Sequence, residues 1–307
     1  MQKITPHLWF DTNAEEAVQF YTSIFNGKIG STTRYTEAGF EIHKMPAGTV
    51  LTMGFEIAGY NFIALNGGPV FKFNPSISFM LNFDPSKDPD AVQKLDALWE
   101  KLSEGGQALM PLQEYPFSKR YGWIQDKYGL SWQLILTDPT GEERPFIIPS
   151  LMFTGDVYGK IEEATNFYLS VFKNTKRGQL ARYPAGMEPD KEGSIMFTDF
   201  LLESQWFAAM ESAHEHKFKF NEAISLLVTC EDQAEIDYFW EKMSAVKESE
   251  QCGWLKDAYG VSWQIVPPGM EKMLNDSDKE KTNRAMNAMM QMKKIDIAKL
   301  QEAYEQE

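Results

Sequence analysis

The feature that most constrains this chain is a segment that occurs twice. GWIQDKYGLSWQ begins at Gly122 and GWLKDAYGVSWQ begins at Gly253, and eight of the twelve positions are identical. The similarity extends outwards in the same order, so that EEAVQFYTSIF at Glu15 has its counterpart in EEATNFYLSVF at Glu162. A long period with a constant order indicates the duplication of a whole domain rather than a short solenoid repeat.

Each copy contains the same series of elements twice. A short apolar strand is followed by an amphipathic helix and then by three further strands. In the first helix, Ala14, Ala17, Val18 and Tyr21 recur at spacings of three and four, which predicts one buried face. The sequence therefore predicts an α+β protein of four βαβββ modules in two domains, 1–140 and 145–270, with a helical tail at 271–307.

This order of elements also predicts a cavity. One helix covers only one face of a four-stranded sheet, so the other face of each module needs a second module to close over it. We expect two modules to face each other across an elongated cavity, which is a typical binding site for a small molecule. The sequence leaves open whether the modules pair within one copy or across the two copies.

The composition excludes several classes of partner. The net charge of the 307-residue chain is −14, and an acidic surface repels nucleic acid and anionic lipid. The amino terminus lacks the pattern of a signal peptide, and no apolar run has the length of a membrane span. We therefore expect a cytoplasmic protein that binds neither nucleic acid nor membranes.

The segments PHLWF, AEEAVQFYTSIF, GPVFKFNPSISF and GWIQDKYGLSWQL resemble a known superfamily. They are similar to the vicinal oxygen chelate proteins, which include glyoxalase I, bleomycin-resistance proteins and extradiol dioxygenases. More narrowly, the chain resembles the PhnB-like branch, whose members often carry the name 3-demethylubiquinone-9 3-methyltransferase. The resemblance implies two glyoxalase-like domains. It also implies three functions to weigh: metal-independent binding of a small molecule, metal-dependent lyase, isomerase or dioxygenase chemistry, and methyl transfer.

The resemblance implies where a metal ion would be bound, on the first and last strands of paired modules. Those places hold Ser78 and Gln133 in the first copy and Ser225 and Gln264 in the second, and the first strand of the chain offers His7 or Pro6. Gln133 stands where the superfamily's metalloenzymes carry Glu. Hydroxyls and neutral amides are poor ligands for a dication. We therefore predict no metal site and no cofactor, with a divalent metal as the alternative.

The predicted ligand-binding residues are polar side chains at these strand positions and aromatic side chains from neighbouring strands and crossings. They are His7, Trp9, Phe73, Ser78, Tyr115, Phe117, Gln133, Ser225 and Gln264. For His7, both a general base and a structural imidazole are consistent with the sequence. An apolar pocket with a few amides and hydroxyls suits an uncharged or amphipathic organic ligand. The sequence favours a small-molecule-binding protein and leaves open whether it catalyses a reaction.

The tail differs in character from the two copies. An irregular apolar stripe lies on an otherwise charged helix and consists of Met286, Met289, Met290, Ile297, Leu300 and Tyr304. Methionine adapts to uneven surfaces, so we expect the tail to dock on the body of the chain or on a second copy in a homodimer. The two sequence copies themselves predict a pseudo-dimer within one chain.

Overall fold

The computed structural model of the chain describes residues 2–37 and 40–306. Four modules follow one another in the predicted order; within the described residues the first three have the predicted βαβββ series and the fourth has βαββ. The first module consists of β1 Ile4–Phe10, α1 Ala14–Ile24, β2 Lys28–Arg34, α2 Phe40–His43, β3 Val50–Ile57 and β4 Tyr60–Asn66. The second consists of β5 Ile77–Phe83, α3 Ala91–Ser103, β6 Gln107–Tyr115, β7 Ser118–Gln125 and β8 Ser131–Leu136.

The second half repeats this series with small changes. The third module consists of β9 Ile147–Phe153, a 3-10 turn at Gly155–Val157, α4 Ile161–Val171, β10 Lys176–Arg182, β11 Ile195–Leu202 and β12 Gln205–Glu211. The fourth consists of β13 Ile224–Thr229, α5 Gln233–Met243, a 3-10 turn at Lys247–Ser249, β14 Trp254–Lys256 and β15 Ser262–Val266. The tail contains α6 Met270–Leu274, α7 Lys279–Met290 and α8 Ile297–Glu305.

The compact units of the structure combine modules from both sequence copies. One unit, here called the split unit, comprises Met1–Lys72 and Asn221–Glu307, and thus the first and fourth modules with the tail. The other, here called the continuous unit, comprises Phe73–Phe220, and thus the second and third modules. The boundary between the sequence copies, at 140–145, falls inside the continuous unit. The modules therefore pair across the copies, a choice that the sequence left open.

Each unit is built on one sheet that runs through both of its modules. The strand order in the continuous unit is β10-β11-β12-β9-β5-β8-β7-β6, and the modules meet where β5 pairs antiparallel with β9. The order in the split unit is β14-β15-β13-β1-β4-β3-β2, and its modules meet at the antiparallel pair of β1 and β13. The two modules of a unit thus share one sheet instead of contributing two separate sheets.

The helices cover one face of each sheet, as the spacing of their apolar residues predicts. Ala14, Ala17, Val18 and Tyr21 are all buried, and the ring of Tyr21 stacks on Phe55 of β3 at 6.1 Å. In α4, Tyr168 stacks in the same way on Phe200 of β11 at 6.5 Å. Because side chains alternate along a strand, the residues between these contacts lie on the opposite face, here called the inner face.

The sheet of the continuous unit curls around its inner face. Tyr121 and Trp123 of β7 form one buried cluster with Met152 of β9. Three strand-to-strand steps separate β7 from β9, which is about 14 Å in a flat sheet at the usual spacing. Side-chain contact over this span requires a curved sheet, so the inner face is concave.

The tail docks on the body of the chain, as expected. The N–H groups of Cys252 and Gly253 donate to the carbonyl oxygens of Met292 and Lys293 at 2.8 and 2.7 Å. Ile295 is fully buried in a cluster with Ala285 and Leu300. Within the described residues the fourth module has no strand corresponding to β6, which pairs with β7 in the second module. The tail therefore supplies backbone partners to the turn that precedes β14, whereas Ala245 and Gln251 bond to Lys256 and Trp254 of β14 itself.

Candidate functional site

A buried aspartate in the repeated motif fixes the position of the second tryptophan of that motif. Asp126 accepts hydrogen bonds at Oδ1 from the backbone N–H groups of Tyr128 and Leu130, at 2.8 and 3.1 Å. Its Oδ2 accepts from Nε1 of Trp132 at 2.9 Å. One carboxylate thus closes the turn between β7 and β8 and fixes Trp132 on the helix-covered face.

The second copy repeats this arrangement. Asp257 Oδ1 accepts from the N–H groups of Tyr259 and Val261 at 2.9 and 3.0 Å, and Oδ2 accepts from Trp263 Nε1 at 2.9 Å. Fixing the tryptophan on one face sends the next residue, Gln133 or Gln264, to the inner face. The motif is therefore a device that places one amide on the inner face of each sheet.

In the continuous unit, Gln133 joins two other polar side chains. Its Nε2 donates to Ser78 Oγ at 2.7 Å, and its Oε1 accepts from the hydroxyl of Tyr121 at 2.7 Å. All three side chains are buried. Burial raises the pKa of Tyr121 far above its usual value, so the phenol stays neutral at physiological pH.

In the split unit, Gln264 contacts a serine as Gln133 does, and it also contacts His7. Its Nε2 donates to Ser225 Oγ at 2.9 Å and lies 2.7 Å from Nδ1 of His7. An amide nitrogen can only donate, so Nδ1 accepts and the neutral imidazole carries its hydrogen on Nε2. Burial lowers the pKa of His7 from 6.5 to about 4, in keeping with a neutral ring.

The two polar sets occupy equivalent positions. His7 pairs in register with Ser225, and Ser150 pairs in register with Ser78. The structure therefore places Ser150 where the split unit has His7. The hydroxyl oxygen of Ser150 is buried and has no hydrogen-bond partner among the described residues.

Aromatic side chains border both polar clusters, here called the Gln133 set (Gln133, Ser78 and Tyr121) and the His7 set (His7, Gln264 and Ser225). Tyr115 and Phe117 stack on each other at 5.7 Å and contact the ring of Tyr121 edge-on at 5.6 and 5.0 Å. Phe117 is 58% exposed, so this aromatic group reaches from the buried Gln133 set to the surface. Phe73 is half-buried and lies beside Gly129, in the turn between β7 and β8.

The aromatic side chain that links the predicted residues of the split unit is Trp254. Its ring meets those of His7 and Trp9 edge-on at 6.0 and 6.2 Å. The structure thus brings Trp9 together with the His7 set. Sequence reasoning did not select Trp254 or Tyr121, although the alignment of the copies places Trp254 opposite Trp123, whose ring is also on an inner face.

The residues present do not fit a divalent cation. Among the described residues, no group of three or more His, Cys, Asp or Glu side chains could hold a metal ion. In the split unit the lone pair of His7 Nδ1 is engaged by the Gln264 amide, and the remaining donors are neutral. In the continuous unit Ser78, Gln133 and Tyr121 are all neutral. Neither set supplies the carboxylate and imidazole ligands that a dication needs.

The pKa of His7 predicts a pH-dependent stability. The folded chain keeps the imidazole neutral down to about pH 4, whereas the unfolded chain takes up a proton below about pH 6.5. This contribution to stability is present above about pH 6.5 and is lost as the pH falls towards 4. Lowering the pH from about 7.5 to about 5 should cost about 2 kcal/mol through this group.

Urea unfolding of the parent and of His7→Gln at both pH values measures this contribution. The amide of the variant does not titrate in this range, so the variant should lose about 2 kcal/mol less than the parent. Other titrating groups are common to both proteins and cancel in the comparison. Equal losses in the two proteins would contradict the neutral, buried imidazole.

Comparison with known proteins identifies the family. The model of the 3-demethylubiquinone-9 3-methyltransferase family matches residues 2–135 and again residues 145–266. This chain belongs to that family. The double match and the four repeated modules confirm the resemblance and the tandem organisation predicted from the sequence.

The chain is also similar to several solved structures. The PhnB protein from Bacillus cereus, described as a 3-demethylubiquinone-9 3-methyltransferase, is 39% identical, with coverage of 44% of this chain and 100% of that chain and a TM-score of 0.39. A protein from Staphylococcus aureus is 31% identical, with coverage of 45% and 98% and a TM-score of 0.18. Glyoxalase I from Zea mays is 12% identical, with coverage of 86% and 93% and a TM-score of 0.49. No curated protein matches the sequence.

The structure gives one finding on membranes. Among the described residues, no helix combines the length and the apolar character needed to cross a bilayer.

Proposed function

We propose that this chain binds a small organic molecule on the inner face of its sheets, without a metal ion. The observation that carries the proposal is the chemistry of the positions where the resemblance implies metal ligands. Gln133 with Ser78 and Gln264 with Ser225 and His7 form neutral, mutually hydrogen-bonded sets. Such groups orient a carbonyl or hydroxyl of a ligand, and they do not balance the charge of a dication.

The surroundings support an uncharged, largely apolar ligand. In the continuous unit, the Gln133 set adjoins the aromatic group of Tyr115, Phe117 and Tyr121 and the buried Met152. The neutral phenol of Tyr121 adds no charge to this face. A pocket with apolar walls and a few fixed polar groups is the usual form of a site for such molecules.

Methyl transfer, the activity in the family name, has less support from this chain. The connection between β1 and α1 reads Asp11-Thr12-Asn13 rather than a glycine-rich turn of the kind that holds an adenosyl cofactor in Rossmann enzymes. Saturable binding of such a cofactor, followed by calorimetry, would favour the methyltransferase activity over simple binding.

Metal analysis tests the proposal directly. We expect the purified full-length chain to contain only substoichiometric zinc, nickel and iron, and we expect EDTA to leave its binding of 2-naphthol, a neutral aromatic probe, unchanged. Gln264→Glu combined with Ser225→His is the matched control, because together with His7 these changes supply three metal ligands and should create nickel or zinc binding that the parent lacks. A stoichiometric metal in the parent would overturn the metal-independent proposal.

Gln133 provides the mutational test. Replacing it by Leu removes the amide that would meet the ligand and leaves the buried polar group of the ligand unpaired, which costs about 1–3 kcal/mol. Gln133→Leu should therefore weaken 2-naphthol binding roughly ten- to a hundredfold, measured by the fluorescence of the probe. Binding as tight as that of the parent would contradict a role for this face.

A further inference from the structure

The inner faces of the two units differ at one pair of register partners. In the split unit, His7 pairs with Ile63 on the neighbouring strand β4. In the continuous unit, the same two positions hold Ser150 and Ala208. Two large side chains are thus replaced by two small ones, and Met80, Ile148 and Trp206 pack around Ala208 in the continuous unit.

Ser150 is also the polar group of this face that the protein leaves unsatisfied. Its side chain is 1% exposed, and its hydroxyl oxygen has no hydrogen-bond partner among the described residues. The alternation of β9 places it between Ile148 and Met152, which belong to the two apolar clusters of the inner face. A buried hydroxyl without a partner lowers stability, so its retention needs a reason. The equivalent His7 has such a partner in Gln264.

The neighbours of Ser150 define what it would meet. Met80 and Ile148 lie on one side in a cluster with Ala208, and Met152 lies on the other with Tyr121. Methionine side chains are flexible and repack around ligands of different shape. The polar groups nearby are uncharged, because Ser78 and Gln133 are neutral and the pKa of Tyr121 is raised by burial.

We propose that the ligand of this chain is bound in the continuous unit, and that the Ser150 hydroxyl hydrogen-bonds a carbonyl or hydroxyl oxygen of a neutral, otherwise apolar molecule. The flexible side chains of Met80 and Met152 repack to admit the body of the ligand beside Ser150. This inference rests on the proposed function and assigns it to one of the two units.

Two matched probes test the assignment on the full-length chain. Ser150→Ala should weaken binding of 2-naphthol about tenfold and leave naphthalene, which lacks the hydroxyl, unaffected. The same change removes an unsatisfied buried group, so the melting temperature should rise by about 2–4 °C. Ser150→His, which copies the split unit, should abolish binding of both probes by filling the space.

Ser118→Ala is the matched control. Ser118 is a buried serine of the same unit, but its hydroxyl is satisfied and donates to the carbonyl of Leu136 at 2.8 Å. Its removal should lower the melting temperature and leave the affinity for 2-naphthol unchanged. A rise in the melting temperature for Ser150→Ala and a fall for Ser118→Ala would distinguish an unsatisfied binding hydroxyl from a structural one.

Several results would overturn the assignment. These are the absence of saturable 2-naphthol binding by the parent, equal affinity of the parent for both probes, and undiminished 2-naphthol binding by Ser150→Ala. If Ser150→His fails to fold, the affinity of Ser150→Ala for 2-naphthol still tests the assignment. Loss of binding in Gln264→Leu together with full binding in Ser150→Ala would place the ligand in the split unit and leave the proposed function standing. Stoichiometric metal in the parent would instead overturn the proposed function itself.

Discussion

A fragment containing only the second sequence copy, residues 144–307, is expected to form dimers or larger assemblies. In the full chain, β9 pairs with β5 over Ile77↔Leu151 to Leu81↔Ile147, and β13 pairs with β1. The fragment contains β9 and β13 but lacks β5 and β1, which each cover one edge of these strands in the full chain. All seven residues of β9 are buried in the full chain, so its bare edge would expose a long apolar strand.

Size-exclusion chromatography with light scattering, together with urea unfolding, measures this result. The matched control is the fragment Phe73–Phe220, which has a similar length and keeps the β5–β9 pair. We expect the control to be monomeric and to unfold cooperatively. A monomeric 144–307 fragment with the unfolding curve of the full chain would contradict the pairing of modules across the copies.

Replacing Asp126 by Ala is expected to destabilise the continuous unit by about 3–5 kcal/mol. The change removes three hydrogen bonds to a buried carboxylate and leaves the Trp132 indole N–H unpaired beneath the helices, and each loss of this kind costs about 1–3 kcal/mol. Asp257→Ala should have an effect of the same size in the split unit, because its contacts are the same.

Urea unfolding of the two variants beside Asp138→Ala checks this prediction. Asp138 also accepts from the N–H and the hydroxyl of Thr140, at 2.9 and 2.8 Å, but it is exposed to water. Its removal should cost less than about 1 kcal/mol, since water replaces the lost partner. If Asp126→Ala were no more damaging than this control, the aspartate would not be the anchor of the motif.

Much of the fold could be predicted because its signals are local. The period of apolar residues identified the helices and their buried faces, and Tyr21 indeed packs on Phe55. The duplication gave the order of four modules. The alternation of a strand placed Gln133 and Gln264 opposite Trp132 and Trp263, and the contacts of both amides with Ser78 and Ser225 confirm their common face.

Other features depended on contacts that the local pattern does not specify. The roles of Tyr121 and Trp254 at the two polar sets became visible only when strands distant in sequence were brought together. The same is true of the tail, whose carbonyl groups at Met292 and Lys293 accept hydrogen bonds from Cys252 and Gly253. His7 and Ser150 occupy equivalent positions in the sequence. Only the structure shows that His7 has a hydrogen-bond partner and that the Ser150 hydroxyl has none among the described residues.

The sequence by itself determined that this protein is made of four repeated modules, each with one helix-covered face, because side-chain period and turn chemistry are properties of neighbouring residues. The tertiary structure alone decided which modules share a sheet. The strands β1 and β9 are similar in sequence, and so are β5 and β13, so local preference permits pairing within a copy or across copies. The choice rests on interactions between residues far apart in the chain, which pair β1 with β13 and β5 with β9.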